Sequence, residues 1–277
     1  RIATGINKHT EARRLYNAVE VGLTKRFSSN YSFSVNYTWS SLKGNYAGLA
    51  NSDYFDGGQL DGSAADRSSP GVNRFFDWAL NGFTAQGTDD YGPLATDRPH
   101  VVKAYGGYTF DWWGSKTNAT ELSFFTTAQS GTPQTTAVEL GTTFVVWKER
   151  GDMGRTPLFT QTDLGLSHSY NFGRDDKFKI VGDITVLNAF NENNVTAFNP
   201  QRWIDFIIDP EDIIPTYDYD APGFGQAAAF QNAVLSGAAA TQINSILDTA
   251  ANRNIVYGLP SAYQAKRNIR FGFRLVF

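Results

Sequence analysis

Cysteine is missing from all 277 residues, and histidine occurs only three times. The first absence excludes disulfides and thiolate metal sites, and it suits an oxidising envelope compartment without requiring one. The second leaves little material for catalysis. None of His9, His100 and His168 has a Ser, Asp or Glu at the spacing of a triad or of a helical metal motif. No catalytic residue, metal ligand or cofactor is therefore expected. No apolar run reaches the roughly 18 residues of a membrane-crossing helix. A strong charge of one sign is lacking too: 24 Lys+Arg against 27 Asp+Glu leave a net charge of −3, which argues against nucleic acid as an electrostatic partner.

What is present is aromatic and glycine-rich. The chain holds 21 Phe, 13 Tyr, 6 Trp and 26 Gly, a composition that suits strands and turns better than a helical bundle. A mean hydropathy of −0.34 does not count against a membrane barrel, because lumen residues and loops dilute its lipid face. The C-terminus shows the pattern most plainly. Ile269, Phe271, Phe273, Leu275 and Phe277 fall on one face of a strand, and Asn268, Arg270, Gly272, Arg274 and Val276 fall on the other. A soluble sandwich uses the same alternation. Two arginines on the second face, and an aromatic at the strand end, instead match the inverted pattern of a transmembrane β-barrel, apolar outside and charged inside.

Seven segments read as strands: residues 13–26, 31–41, 100–110, 118–129, 161–172, 177–190 and the terminal strand, taken as 262–277. The second alternates most cleanly, with Tyr31, Phe33, Val35, Tyr37 and Trp39 against Ser32, Ser34, Asn36, Thr38 and Ser40. Phe125 and His168 break the pattern of their strands. The connections alternate between links of a few residues and long stretches at 42–97, 130–160 and 191–262. Short turns on one rim and long loops on the other are what outer-membrane barrels show. Phe27, Tyr31, Tyr108, Phe110, Trp112, Trp113, Tyr170, Phe172, Phe178 and Phe277 all lie beside the short turns, as a girdle at a headgroup boundary would. Within the last long loop, residues 226–250 carry Phe230, Val234, Ile243, Ile246 and Leu247 at helical spacing.

Bacterial single-chain barrels have an even number of strands, and seven is odd. No signal peptide precedes Arg1. Both points lead to the expectation that residues 1–277 are the C-terminal segment of a larger barrel, with residues 1–12 the tail of an earlier loop. Several motifs agree. Thr96-Asp-Arg-Pro-His100, Ser130-Gly-Thr-Pro133, Gly154-Arg-Thr-Pro-Leu-Phe-Thr-Gln-Thr-Asp163, Leu187-Asn-Ala-Phe-Asn191 and Arg267-Asn-Ile-Arg-Phe-Gly-Phe resemble the TonB-dependent outer-membrane transporters, in particular their Oar-like branch. The resemblance implies the last seven strands of a barrel of about 22 strands, in the outer membrane of a Gram-negative cell. It also implies lipopolysaccharide around the barrel, a plug and TonB box elsewhere, contact with TonB, and a transported ligand. For barrels ending in phenylalanine it implies an assembly signal read by the barrel-assembly machinery, here Phe271, Phe273 and Phe277.

On this reading Lys103, Glu121, Lys179, Asp183, Arg270 and Arg274 face the lumen, pairing with a plug or one another. The acidic residues Asp205, Asp209, Glu211, Asp212, Asp218 and Asp220 offer oxygen ligands of the type calcium takes. They lack calcium-loop spacing and read more simply as a solvated loop. Two rivals stay open: a small outer-membrane barrel enzyme or adhesin with a further strand near Phe76, Trp78 and Leu80, and a soluble carbohydrate-binding β-sandwich.

Overall fold

A computed structural model describes residues 8, 10–46, 79–114, 117–141, 143–174, 177–203, 208–220, 225–249 and 253–277. In chain order its elements are β1 (Arg14–Ser28), β2 (Tyr31–Gly44), β3 (Gly92–Pro93), β4 (His100–Asp111), β5 (Asn118–Gln129), β6 (Ala137–Leu140), β7 (Thr143–Val146), β8 (Phe159–Phe172), β9 (Phe178–Leu187), β10 (Val195–Phe198), α1 (Pro210–Ile213), α2 (Gly225–Leu235), α3 (Ala240–Asp248), β11 (Pro260–Tyr263) and β12 (Asn268–Val276). The fold is all-β in its framework, and no helix among the described residues is long and apolar enough to cross a membrane.

Seven long strands form one antiparallel meander in the order β1-β2-β4-β5-β8-β9-β12, with β3 added at the end of β2. Tight turns explain the first rim. Ser29 and Asn30 both take positive φ, 53° and 69°, the twist a two-residue hairpin requires. Gly173, at φ 88°, begins the turn between β8 and β9. Register then carries the alternation across the whole sheet. Phe33, Gly106, Phe124, Leu164, Val186 and Ile269 stand in one row. Ser32, Gly107, Ser123, Gly165, Thr185 and Arg270 stand in the next, on the opposite face. A slip of one residue in any strand would exchange the faces.

The apolar face is bare. Leu15, Val19, Val21, Leu23, Val35, Trp39, Leu122, Phe124, Leu166 and Phe271 are all exposed, and no second sheet is stacked on them among the described residues. That is not the arrangement of a sandwich, whose inner faces interdigitate. The sheet path ends at β1 and at β12, which do not pair with each other.

Among the described residues, the large core lies in the long connections. Leu80, Phe83, Val138, Leu140, Val145, Trp147, Trp203, Ile208, Phe230, Val234, Leu235, Ile243 and Leu247 are buried together, drawn from all three long loops. We call this body the cap. Its frame includes the β6–β7 hairpin, which the sequence reading left inside an unstructured link. Four-residue strands carry too few alternations to stand out.

Several expected boundaries are corrected. The helix expected over 226–250 is two helices, α2 and α3, because Gly237 takes φ 79° and donates its N–H back to the Val234 carbonyl at 2.9 Å. Residue 250 itself lies outside the described residues. The sixth strand ends at Leu187 rather than at 190, where Asn188 and Asn191 enter positive φ. The terminal strand begins at Asn268 rather than 262: Pro260–Tyr263 pairs with β10 instead, and Gln264 turns inward to donate to the Thr160 carbonyl at 3.0 Å. Of the strand suggested near Phe76, Trp78 and Leu80, the first two residues lie outside the described ones, and Leu80 is a turn residue buried in the cap.

Candidate functional site

Strand register, not proximity in sequence, assembles the polar face. Lys103, Glu121, Lys179, Asp183, Arg270 and Arg274 all project from the face opposite the apolar one. Glu121 and Asp183 lie in one row, with Ser167 between them, and Gly272 follows across β12. Glycine there leaves room for the one ion pair of the set that forms among the described residues, Arg274 Nη2 to Asp183 Oδ2 at 3.7 Å. It is an exposed contact, and its net contribution to stability is small. Lys103, Glu121, Lys179 and Arg270 are exposed, and Arg270 Nε donates to Asn268 Oδ1 at 3.2 Å. A wall of alternating sign with serines and threonines between the charges can hold water and pass polar solutes along it. Phe125 breaks this pattern, opposite Tyr105 on one side and Asp163 on the other.

At the rim where the strands leave the sheet, the motifs singled out in the sequence meet as one collar. Asp97, nearly buried, accepts from the Leu42 N–H at 2.6 Å and from the Arg155 guanidinium. Arg155 Nη1 also donates to the Asp97 and Gly131 carbonyls at 3.0 and 3.1 Å. Arg98 donates to the Ser130 carbonyl at 3.0 Å, and its partial burial holds its pKa below the ordinary arginine value. Gly131 has to be glycine, since a Cβ there would overlap the Thr156 carbonyl. On the far side Asn188 donates to the Glu192 and Ala265 carbonyls at 2.9 Å each, while its own N–H reaches Asp163 at 2.8 Å. These bonds tie the roots of the first two long loops to each other and the root of the third to the sheet.

Above the collar, Trp147 and Trp203 meet edge to face at 5.8 Å, and the Arg202 guanidinium lies 4.3 Å from the Trp147 ring centre. Trp203 Nε1 donates to the Leu247 carbonyl at 2.7 Å. The acidic loop does local work. The Asp209 N–H donates to Asp212 Oδ2 at 2.9 Å, closing the first turn of α1, and Asp218 accepts from the Asp220 N–H at 2.9 Å. Asp205 lies outside the described residues. Among the described residues, no group of three or more His, Cys, Asp or Glu is arranged to hold a metal ion.

The histidines sit on the apolar face, away from the charges. His168 Nδ1 is 2.8 Å from Thr120 Oγ1, which also accepts from Trp112 Nε1 at 2.8 Å. His100 Nδ1 is 2.9 Å from the Tyr37 hydroxyl. His9 lies outside the described residues.

The chain is similar to the TonB-dependent transporter Oar of Myxococcus xanthus. The two are 30% identical over 276 residues, which is 95% of this chain and 22% of the relative. No family model matches the chain, and no solved structure does either. The similarity supports a relationship to TonB-dependent transporters, and the all-β framework agrees with it.

The aromatic core of the cap was not foreseen from the sequence. Trp147 follows Phe144-Val145-Val146, and Trp203 precedes Ile204, Phe206, Ile207 and Ile208, in long loops otherwise rich in Gly, Asp, Asn, Ser and Ala. Such apolar runs inside polar loops are the signal that could have found a buried cluster. Nor were Asp97, Arg155 and Asn188 singled out as positioning residues, although each stands inside a quoted motif.

Proposed function

We propose that this chain is part of the wall of an outer-membrane transporter of the TonB-dependent kind, near the end of a barrel of about 22 strands. The apolar face meets lipid and the polar face lines the lumen, where Lys103, Glu121, Lys179, Asp183, Arg270 and Arg274 contact water, a plug and a passing ligand. The cap stands outside the cell, among lipopolysaccharide, and receives that ligand. A plug elsewhere in the protein, moved through TonB from the periplasm, opens the passage. The role of this chain is non-enzymatic. The terminal Phe271, Phe273 and Phe277 guide assembly through the barrel-assembly machinery. The observation that carries the reading is the bare, predominantly apolar face that runs across seven strands. In water so large an apolar surface would drive aggregation, and open edges such as those of β1 and β12 cannot stay unpaired in lipid.

These 277 residues contain no cysteine, so once any thiol outside them is replaced by serine, an introduced cysteine reports alone. Single cysteines are placed at Tyr219, Trp113, Arg270 and Ile269 in the whole protein. A membrane-impermeant maleimide added to intact cells should label Tyr219→Cys and not Trp113→Cys. In purified protein Arg270→Cys should react and Ile269→Cys should be protected by lipid or detergent. Labelling of both strand positions alike, or of Trp113→Cys in intact cells, overturns the reading. Deleting Phe277 should lower the amount reaching the outer membrane more than its lost burial explains.

A further inference from the structure

We propose that the apolar face carries a seat for one phospholipid with an anionic headgroup. A groove of about 730 Å³ crosses the strands from Tyr31, beside the first short turn, to Phe190, just beyond the end of β9. Its floor lies where side chains are small. Gly107, Ser123, Thr126 and Thr162 line it, and the hydroxyls of Thr126 and Thr162 turn on each other at 3.1 Å. With the hydroxyls so occupied, the two threonines offer the groove mainly their methyl groups. Leu164 and the exposed ring of Phe190 form its walls. From β2 to β8 the groove crosses three strand spacings, roughly 14 Å. That is long, narrow and apolar, the shape of an acyl chain rather than of a compact solute.

One end supplies the headgroup contact. Lys25 pairs opposite Phe33 and so stands on the apolar face, where a charge is out of place in bare hydrocarbon. Its ammonium lies 3.6 Å from the centre of the Tyr31 ring and is held by the Ser28 and Tyr31 carbonyls at 2.8 and 3.1 Å. No carboxylate lines the groove. A cation resting on Tyr31, the ring at one end of the groove, complements a phosphate whose acyl chain lies between Leu122, Phe124 and Leu164.

The proposal rests on the reading that the apolar face meets lipid, and the experiment separates the two. The whole protein is purified in mild detergent and exposed to phosphatidylglycerol or phosphatidylcholine, and retained lipid is counted by native mass spectrometry. One phosphatidylglycerol should be retained, with roughly fivefold preference over phosphatidylcholine from one cation. Filling the groove with Thr126→Phe and Thr162→Phe should cut retention at least about tenfold, the equivalent of two methylenes no longer buried. Phe190→Ala, which removes a wall without adding bulk, should weaken it in the same direction. Lys25→Gln should abolish the preference while leaving phosphatidylcholine retention unchanged. Unchanged retention in the filled and Phe190→Ala variants, with normal membrane insertion, overturns the seat alone. A dimer in place of a lipid adduct, lost on filling, also overturns it. Failure to insert in any lipid overturns the membrane reading beneath it.

Discussion

In β1, Val21 and Leu23 are 62% and 63% exposed, whereas Ile208 and Ile243 in the cap are completely buried. Both regions are rich in apolar side chains, yet only the cap uses them against one another. The cap is held as an aqueous fold is, by removing apolar area from water and packing it densely. The sheet is held by its ladder of backbone hydrogen bonds, and on the proposed reading its apolar side chains meet an apolar solvent. The collar of Asp97, Arg155, Asn188 and their carbonyl partners lies between the two regimes. There, specific polar bonds replace both burial and lipid.

The contrast predicts where substitutions hurt. Ile243→Ala should destabilise the cap by about 2–5 kcal/mol, because a fully buried site cannot collapse around the loss. Leu23→Ala on the sheet should cost less than about 1 kcal/mol, and hydrogen exchange of cap and sheet amides reads both. Similar losses at the two sites would erase the distinction.

Reversing the chemistry should reverse the sensitivity. Phe273→Arg or Val35→Arg should cost about 2–4 kcal/mol in vesicle folding titrations if the site is near the bilayer midplane. Gly272→Ser, on the other face, should stay within about 0.5 kcal/mol, since an added Cβ meets Asp183 only at an ordinary 3.4 Å. Ser34 is not so free a position as its polar face suggests. It is buried and its hydroxyl is bonded to Thr24 at 3.0 Å, so Ser34→Asn should cost more than Gly272→Ser.

At the collar, Asp97→Ala strands the Leu42 N–H and removes the carboxylate partner of Arg155, which keeps its two carbonyl acceptors. The expected loss is about 1.5–3 kcal/mol, seen as faster proteolytic nicking at the loop roots while sheet amides keep their protection.

The smallest effect concerns pH in the cap. Burial, and then the nearby Asp209, push the Glu139 carboxyl above its ordinary value. The folded cap therefore holds this proton more tightly than the unfolded chain does. The stabilisation is full below the ordinary carboxylate value and is lost as pH rises through the raised one. Glu139→Gln should flatten that part of the cap's melting profile above the ordinary carboxylate range. Because Glu139 is only partly buried, solvent screening keeps the change small.

Period-two alternation over ten or more residues survives reading from sequence because it is local: a strand with one apolar face shows that face in its own residues. Asn118–Gln129 lies where its alternation places it, and the other long strands differ only near their ends. Those ends depend on partners far away, as with Gln264, drawn off the last strand by Thr160 and Gln161. The charged residues of the polar face were legible for the same local reason, one strand at a time. Their rows were not, since a row is a property of register between strands. The cap was least legible. Its core takes Leu80, Trp147 and Ile243 from three separate loops, and no local periodicity encodes that meeting.

Composition and alternation by themselves thus determined an all-β chain with one apolar and one charged face, short turns on one rim and long loops on the other. They could do so because side-chain direction in a strand follows from backbone geometry alone. The tertiary structure decided that the apolar face stays bare, that the loops close on a core of their own, and that the quoted motifs serve as a collar. Those outcomes depend on which distant surfaces come into contact and which do not, and contact between residues remote in the chain is written only in three dimensions.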